Sequence, residues 1–268
     1  MTVHEVAATG FGTAASTYAS SRPSYPPAAV AWIANELQLR AGTRCVDLAA
    51  GTGIFTRLLE PTLCTLIAAE PVDAMRDELQ RASPGASMVA AIGEALPFAS
   101  GSLHAITIAQ AFHWFDADLA LDEIHRCVQP GGSIAMLWNA RLRNVDWVDQ
   151  VWAVMDRVEK HAPWRNHDHV ATTDTKAFRE EDLLHQPGFD NLRTAQFEHL
   201  QITDHDGVVA RVASVSHVAV LPTSEKTEVL NEVREILTRH PDTAGRDRLA
   251  IPYRVDCYAI TRAKTPRR

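Results

Sequence analysis

Cysteine is scarce: Cys45, Cys64, Cys127 and Cys257 are the four in 268 residues, and no C-x-x-C pair occurs. Each sits in a stretch that reads as a buried strand or helix, so reduced structural thiols are expected rather than a disulfide framework. No apolar run approaches the roughly 18 residues needed to span a bilayer, and the chain does not open on a charged region followed by an apolar one. A membrane partner is therefore not expected, and the cytoplasm is the expected location. Positive charge is not in excess either. Lys and Arg total 26 against 33 Asp and Glu, a formal net charge of -7, which leaves no whole-chain footprint for a polyanion and argues against nucleic acid as substrate. His161, His167 and His169 cluster with Asp168, but Pro163 and Asn166 beside them read as a loop without metal-ligand spacing, and no metal is expected. Neither an internal repeat nor a low-complexity linker is visible.

What remains is ordinary globular material, 46% hydrophobic and 22% charged, read as a single domain over residues 1–268. Pro26-Pro27 can start a helix carrying Val30, Ile33 and Leu37. Arg44 to Leu48 reads as a strand that runs into the glycine turn Ala49-Ala50-Gly51-Thr52-Gly53, with a helix from Ile54 to Leu59. Further short apolar runs follow at Thr65 to Ala69, Ser87 to Ile92, Leu103 to Ala109 and Ser133 to Trp138, separated by helix-sized segments. One of those helices is expected to be capped by Asp118, striped by Leu121, Ile124 and Val128, and ended by Pro130-Gly131-Gly132. Such alternation predicts an α/β fold with a doubly wound, mainly parallel sheet covered on both faces. Beyond Asn139 come a helical, aromatic stretch around Trp147, Trp152 and Trp164 and a candidate strand from Thr194 to Ile202. A helix with Ser224 as cap and Val229, Val233, Ile236 and Leu237 as stripe follows, then a last strand in which Tyr253, Val255, Cys257 and Ala259 alternate.

The glycine turn carries the chemistry. Gly51 and Gly53 stand at the carboxyl end of the first strand, where a backbone without Cβ lets a ligand come close. Glu70 ends the second strand, from which a carboxylate can accept hydrogen bonds from both hydroxyls of an adenosine ribose. A nucleotide-like cofactor is expected there.

At these residues the sequence resembles the class I S-adenosylmethionine-dependent methyltransferases, with Asp47, Ala49, Gly51 and Gly53 matching their first motif. Gly93-Glu94-Ala95-Leu96-Pro97-Phe98 is similar to the segment after the third strand in the small-molecule branch containing ubiquinone/menaquinone and trans-aconitate methyltransferases, with Gly93 in place of the usual alanine. The stretch from Ile108 to Asp116, the opening from Phe11 to Pro26 and the segment Ile251 to Ala263 resemble that branch too; 144–248 matches no motif, and substrate selectivity is expected there. The resemblance implies a seven-stranded Rossmann-like sheet with a helical insertion after strand five. It divides the chain into a lid segment (1–27), a cofactor-binding core (28–143), an insertion with substrate-side elements (144–248) and a last strand and tail (249–268). It further implies that the glycine turn faces the methionine moiety, that Asp47 helps hold the cofactor's amino group, that Glu70 binds the ribose and that Gly93 and Glu94 lie near the adenine. Pro71 and Gln110 join this cofactor set, and Tyr18, Arg22, Tyr25, Trp114 and Trp138 are candidates for lid and substrate wall. The implied reaction is methyl transfer from S-adenosylmethionine to a small molecule, leaving S-adenosylhomocysteine.

Such a displacement asks the protein to hold donor and acceptor in line and exclude water, without a metal. Where the acceptor is protonated a base is needed, and His113, just past the fourth strand, is the candidate from its unperturbed pKa of about 6.5. Two rivals stay open. A nicotinamide-dependent oxidoreductase shares the strand, glycine turn, helix and acid, but Thr56 stands where its third glycine or alanine is needed. A protein that binds S-adenosylmethionine without catalysis is the other. A base-flipping methyltransferase is disfavoured, because Gln110 to Trp114 is not the Asn/Asp-Pro-Pro-aromatic set.

Overall fold

Short apolar runs with no polar face can be satisfied only between two layers of helix. The computed structural model describes residues 19, 21–160 and 187–264 and places those runs in one seven-stranded sheet of order β3-β2-β1-β4-β5-β7-β6. The strands are β1 (Arg44–Leu48), β2 (Thr65–Ala69), β3 (Ser87–Val89), β4 (Leu103–Ala109), β5 (Val128–Arg141), β6 (Phe189–Thr203) and β7 (Leu249–Arg262). The pairs from β3 through β5 are parallel, whereas β7 runs antiparallel to both β5 and β6. This is the doubly wound, mainly parallel sheet that the alternation of elements implied, with the seven-stranded Rossmann-like form that the resemblance implied.

The helices are α1 (Pro27–Glu36), α2 (Thr56–Leu59), α3 (Asp73–Ala82), α4 (Ala117–Cys127), α5 (Asp146–Lys160), α6 (His205–Ala213), α7 (Ser216–Ala219) and α8 (Thr223–Arg239). Successive strand residues point to opposite faces, so the sheet splits its side chains between two cores. Val46, Ile106, Ile134 and Met136 pack with Leu121 and Ile124 of α4 on one face. Cys45, Ala105, Ala135 and Leu137 pack with Ile33 of α1 and Leu59 of α2 on the other. A third core joins α5, α6 and α8 through Val151, Val212 and Val233, against Ile251 and Tyr253 of β7. Helical insertion therefore occurs in two places, after β5 and between β6 and β7.

Several local expectations are corrected. The cap of α4 is Asp116, whose carboxylate accepts from Leu119 N–H at 3.2 Å, and Asp118 falls in the first turn. Val128 opens β5 instead of closing α4. Pro130-Gly131-Gly132 lies inside β5, where the pairing with β4 jumps from Leu103–Val128 to Ala105–Ser133, a bulge. A Cβ at Gly132 would lie 2.7 Å from the His104 carbonyl, so backbone crowding requires glycine there. Pro222, not Ser224, precedes α8, without a side-chain cap. The helix after the glycine turn begins at Thr56, and β3 ends at Val89. Trp164, His161, His167, His169 and Asp168 lie outside the described residues. Among the described residues no group of three or more His, Cys, Asp or Glu could hold a metal, and no helix is long and apolar enough to cross a membrane.

Candidate functional site

The strand order reverses between β1 and β4, and in an open α/β sheet the crevice at such a point takes the ligand. Both strands end there in a left-handed residue that is not glycine, Ala49 (φ 54°) and Gln110 (φ 62°). Each costs roughly 1–2 kcal/mol, a strain that clusters at ligand sites. Leu137 O holds Gln110 N–H at 2.9 Å and Ala69 O holds Ala50 N–H at 3.1 Å, so neighbouring strands impose these conformations.

Gly51 (φ 57°) and Gly53 (φ 77°) follow. A Cβ on Gly53 would press at 3.1 Å on Leu79 Cγ of α3, whereas one on Gly51 would meet nothing within 4 Å. The open side of the turn is thus at Gly51. From the end of β2, Glu70 fastens this turn: its Oε2 accepts from Gly51 N–H and its Oε1 from Val72 N–H, both at 2.9 Å. Glu70 is 5% exposed, and burial raises its carboxyl above the usual range, while the two amides pull it down. Each oxygen keeps a second lone pair. Pro71, next along, is half-buried.

Asp47 lies beneath the turn. Its Oδ2 accepts from the Thr56 hydroxyl at 2.6 Å and its Oδ1 from the Thr107 hydroxyl at 2.9 Å. Burial lifts its carboxyl to about 6 against both hydroxyls. The carboxylate therefore ties the start of α2 and the strand β4 to the floor of the glycine turn.

The cleft is lined by Ala49, Ala50, Gly51 and Thr52 from the turn, Ile54 and Phe55 after it, Ala109 and Gln110 from β4, Asn139 from β5, Arg22, Pro23 and Tyr25 from the N-terminal segment, and Arg211 from α6. Tyr25 packs edge-on against Phe55 at 5.1 Å. The N-terminal segment is held by late elements: Arg22 Nη2 donates to Ser214 O at 2.8 Å, Gln201 Nε2 to Ser21 O at 2.8 Å and Asn139 Nδ2 to Ser24 O at 3.3 Å. Tyr18 lies outside the described residues.

The other candidates are not among the residues of this lining. Gly93 is buried beside Phe115, whose ring a Cβ would approach at 3.1 Å. Glu94 Oε1 accepts from Asp116 N–H at 2.8 Å, joining the turn after β3 to the start of α4. Trp114 and Trp138 pack partly buried against the core on the α4 face, the latter edge-on to Tyr258 at 5.8 Å. His113 stands in the 3-10 turn Phe112–Trp114. Burial and then the charge of Arg22 push its imidazole down to about 4, so it is neutral at pH 7.

Arg211, Asn139 and Thr52 were not singled out from sequence. The signal for Arg211 is a cation inside the apolar run Val208-Val209-Ala210-Arg211-Val212 of α6, where a solvated charge is not expected.

Comparison with known proteins agrees with the sheet order and the turn. A family model described as "Methyltransferase domain" matches residues 46–136. An uncharacterized methyltransferase of Mycobacterium tuberculosis is 32% identical over 94% of this chain and 96% of its own length. Among solved structures, a protein assigned as a type II methyltransferase of Anaeromyxobacter dehalogenans has a TM-score of 0.64 at 20% identity, over 92% of this chain and 99% of that one. Phosphoethanolamine N-methyltransferase 2 of Haemonchus contortus, solved with phosphomonomethylethanolamine and S-adenosylhomocysteine, has a TM-score of 0.52 at 10% identity, over 98% of this chain and 60% of that one.

Proposed function

The chain belongs to the class I methyltransferase family, and from that premise we propose that it transfers a methyl group from S-adenosylmethionine to a small-molecule acceptor. One observation carries the reading of the cofactor: the glycine turn of β1 and the carboxylate of β2 meet at the switch point, with Gly51 N–H donating to Glu70 Oε2 at 2.9 Å. The residues fit the group. Gly51 leaves its open side to the methionine moiety, and Glu70 retains lone pairs for the ribose hydroxyls. Asp47, with both oxygens engaged by threonine hydroxyls, shapes the turn that receives the amino group. Gln110 lines the same cleft, and Gly93 and Glu94 are assigned to the adenine side by the family resemblance.

When bound, S-adenosylmethionine supplies a methyl group on a positively charged sulfur, displaced in line by the acceptor. The chain's own work is to position and to dry the site. Tyr25, Pro23 and Phe55 wall the cleft with apolar surface, and residues 21–24 are anchored beside it. His113 serves as the base for a protonated acceptor; being neutral at pH 7 it can take a proton, but weakly, because a conjugate acid near 4 gives little driving force.

A thermal-shift titration with S-adenosylhomocysteine, with NAD in parallel, tests the assignment. Binding at a hundred times the dissociation constant adds about 2.7 kcal/mol, a rise of roughly 5–10 °C for a chain of this size. A rise with S-adenosylhomocysteine that Glu70→Ala weakens is expected. A rise with NAD alone would replace this reading by the oxidoreductase.

A further inference from the structure

Beside the cleft lie buried polar atoms that find no partner among the described residues. Among the described residues, Arg211 Nε and Nη1 on α6, His217 Nε2 on α7, Trp152 Nε1 on α5 and Tyr253 Oη on β7 make no hydrogen bond. Their residues are 8%, 5%, 2% and 1% exposed. A buried donor left without a partner is costly, more so when charged, and native interiors tolerate few.

These groups converge. The Arg211 guanidinium lies 5.8 Å from the Trp152 ring centroid, and that of Arg141, at the end of β5, lies 4.9 Å from it. Arg141 feels the charges of Arg211 and Tyr253, and His217 those of Arg141, Arg22 and Arg211. The carboxylate acting on Arg141 is Asp156, which Arg143 Nη2 also contacts at 3.4 Å, so positive charge is left over. The cluster abuts the cleft, since Arg211 also lines the latter.

We propose that this donor-rich pocket is the acceptor subsite and that it binds an anionic oxygen group of the methyl acceptor, with Arg211 and Arg141 facing the charge and Trp152, Tyr253 and His217 supplying further polar contacts. The inference rests on reading the cleft as the methyl-donor site. A guanidinium fork matches a carboxylate or phosphate in two parallel bonds, and such an anion satisfies atoms that the protein leaves open. His217 fits the surroundings, because burial and the three arginines push it down to about 4 and hold it neutral.

The test keeps the protein saturated with S-adenosylhomocysteine and follows its thermal midpoint against four probes: succinate, 3-phenylpropanoate, phenyl phosphate and 3-phenylpropanamide. At least one anion is expected to stabilise the protein, and the neutral amide is not. Arg211→Gln and Arg141→Gln should each weaken that anion about tenfold or more, the loss of one charge-assisted contact, and Arg211→Lys less. The preferred anion separates carboxylate from phosphate. Equal stabilisation by amide and acid, unchanged binding in both Gln variants, or no response to any anion while S-adenosylhomocysteine binds would overturn the proposal. If the variants fail to fold, the acid against amide comparison on the wild type decides alone. Failure of the wild type to bind S-adenosylhomocysteine would instead strike the donor-site reading.

Discussion

A Cβ at Gly53 would press on Leu79, whereas a Cβ at Gly51 would enter open space, although both residues hold a left-handed backbone. Gly53→Ala is therefore expected to lose about 2–4 kcal/mol in urea unfolding, backbone strain plus overpacking. Gly51→Ala should lose about 1–2 kcal/mol yet weaken S-adenosylhomocysteine more than the stability loss explains. Equal losses of stability would remove the distinction. Asp47 gives a pH signature. Burial raises its carboxyl from the ordinary 3.8 to about 6, so between those pH values the folded protein holds a proton that the unfolded chain has released. Its contribution to stability then falls as pH rises through that window and is level above it. Asp47→Asn lacks this titration, and its stability relative to wild type should grow from pH 4 to pH 7 by up to about 3 kcal/mol; a difference that stays constant with pH contradicts the buried charge. For His113, pushed down to about 4, turnover should show no inflection near pH 6.5 that His113→Ala removes.

At the scale of elements, the N-cap of α4 offers a clean contrast. Asp116→Ala should cost about 1 kcal/mol, the value of a capping carboxylate, while Asp118→Ala, one residue into the exposed first turn, should cost little; chemical denaturation of both variants checks this. β2 and β4 were legible to the residue because each is a short, largely apolar run, with Pro71 just beyond β2 and Gly101-Ser102 just before β4. The start of β5 was not, because Pro130-Gly131-Gly132 has the chemistry of a helix stop and only the pairing of Val128 with Leu103 turns it into a bulge. Gly51, Gly53 and Glu70 were legible because their spacing alone places them at adjacent strand ends. Arg211, Trp152 and His217 sit on three separate helices, and nothing local announces that they meet.

Over the whole molecule, a net charge of -7 conceals the guanidinium groups of Arg141 and Arg211 gathered at Trp152, since a chain-wide count averages a few interior cations against the other charges. Residues 21–24 are bonded to β5, β6 and the turn after α6, so the cleft and the helical insertion share one wall. Binding at one should register at the other. The measurement to make is transfer of label from S-[methyl-3H]-adenosylmethionine into a low-molecular-weight cell extract, with Gly51→Ala as control. Label is expected in a small, anionic product with the wild type and to be strongly reduced with Gly51→Ala. Tight S-adenosylhomocysteine binding without any labelled small molecule would contradict a methyltransferase acting on small molecules and leave a binding protein instead.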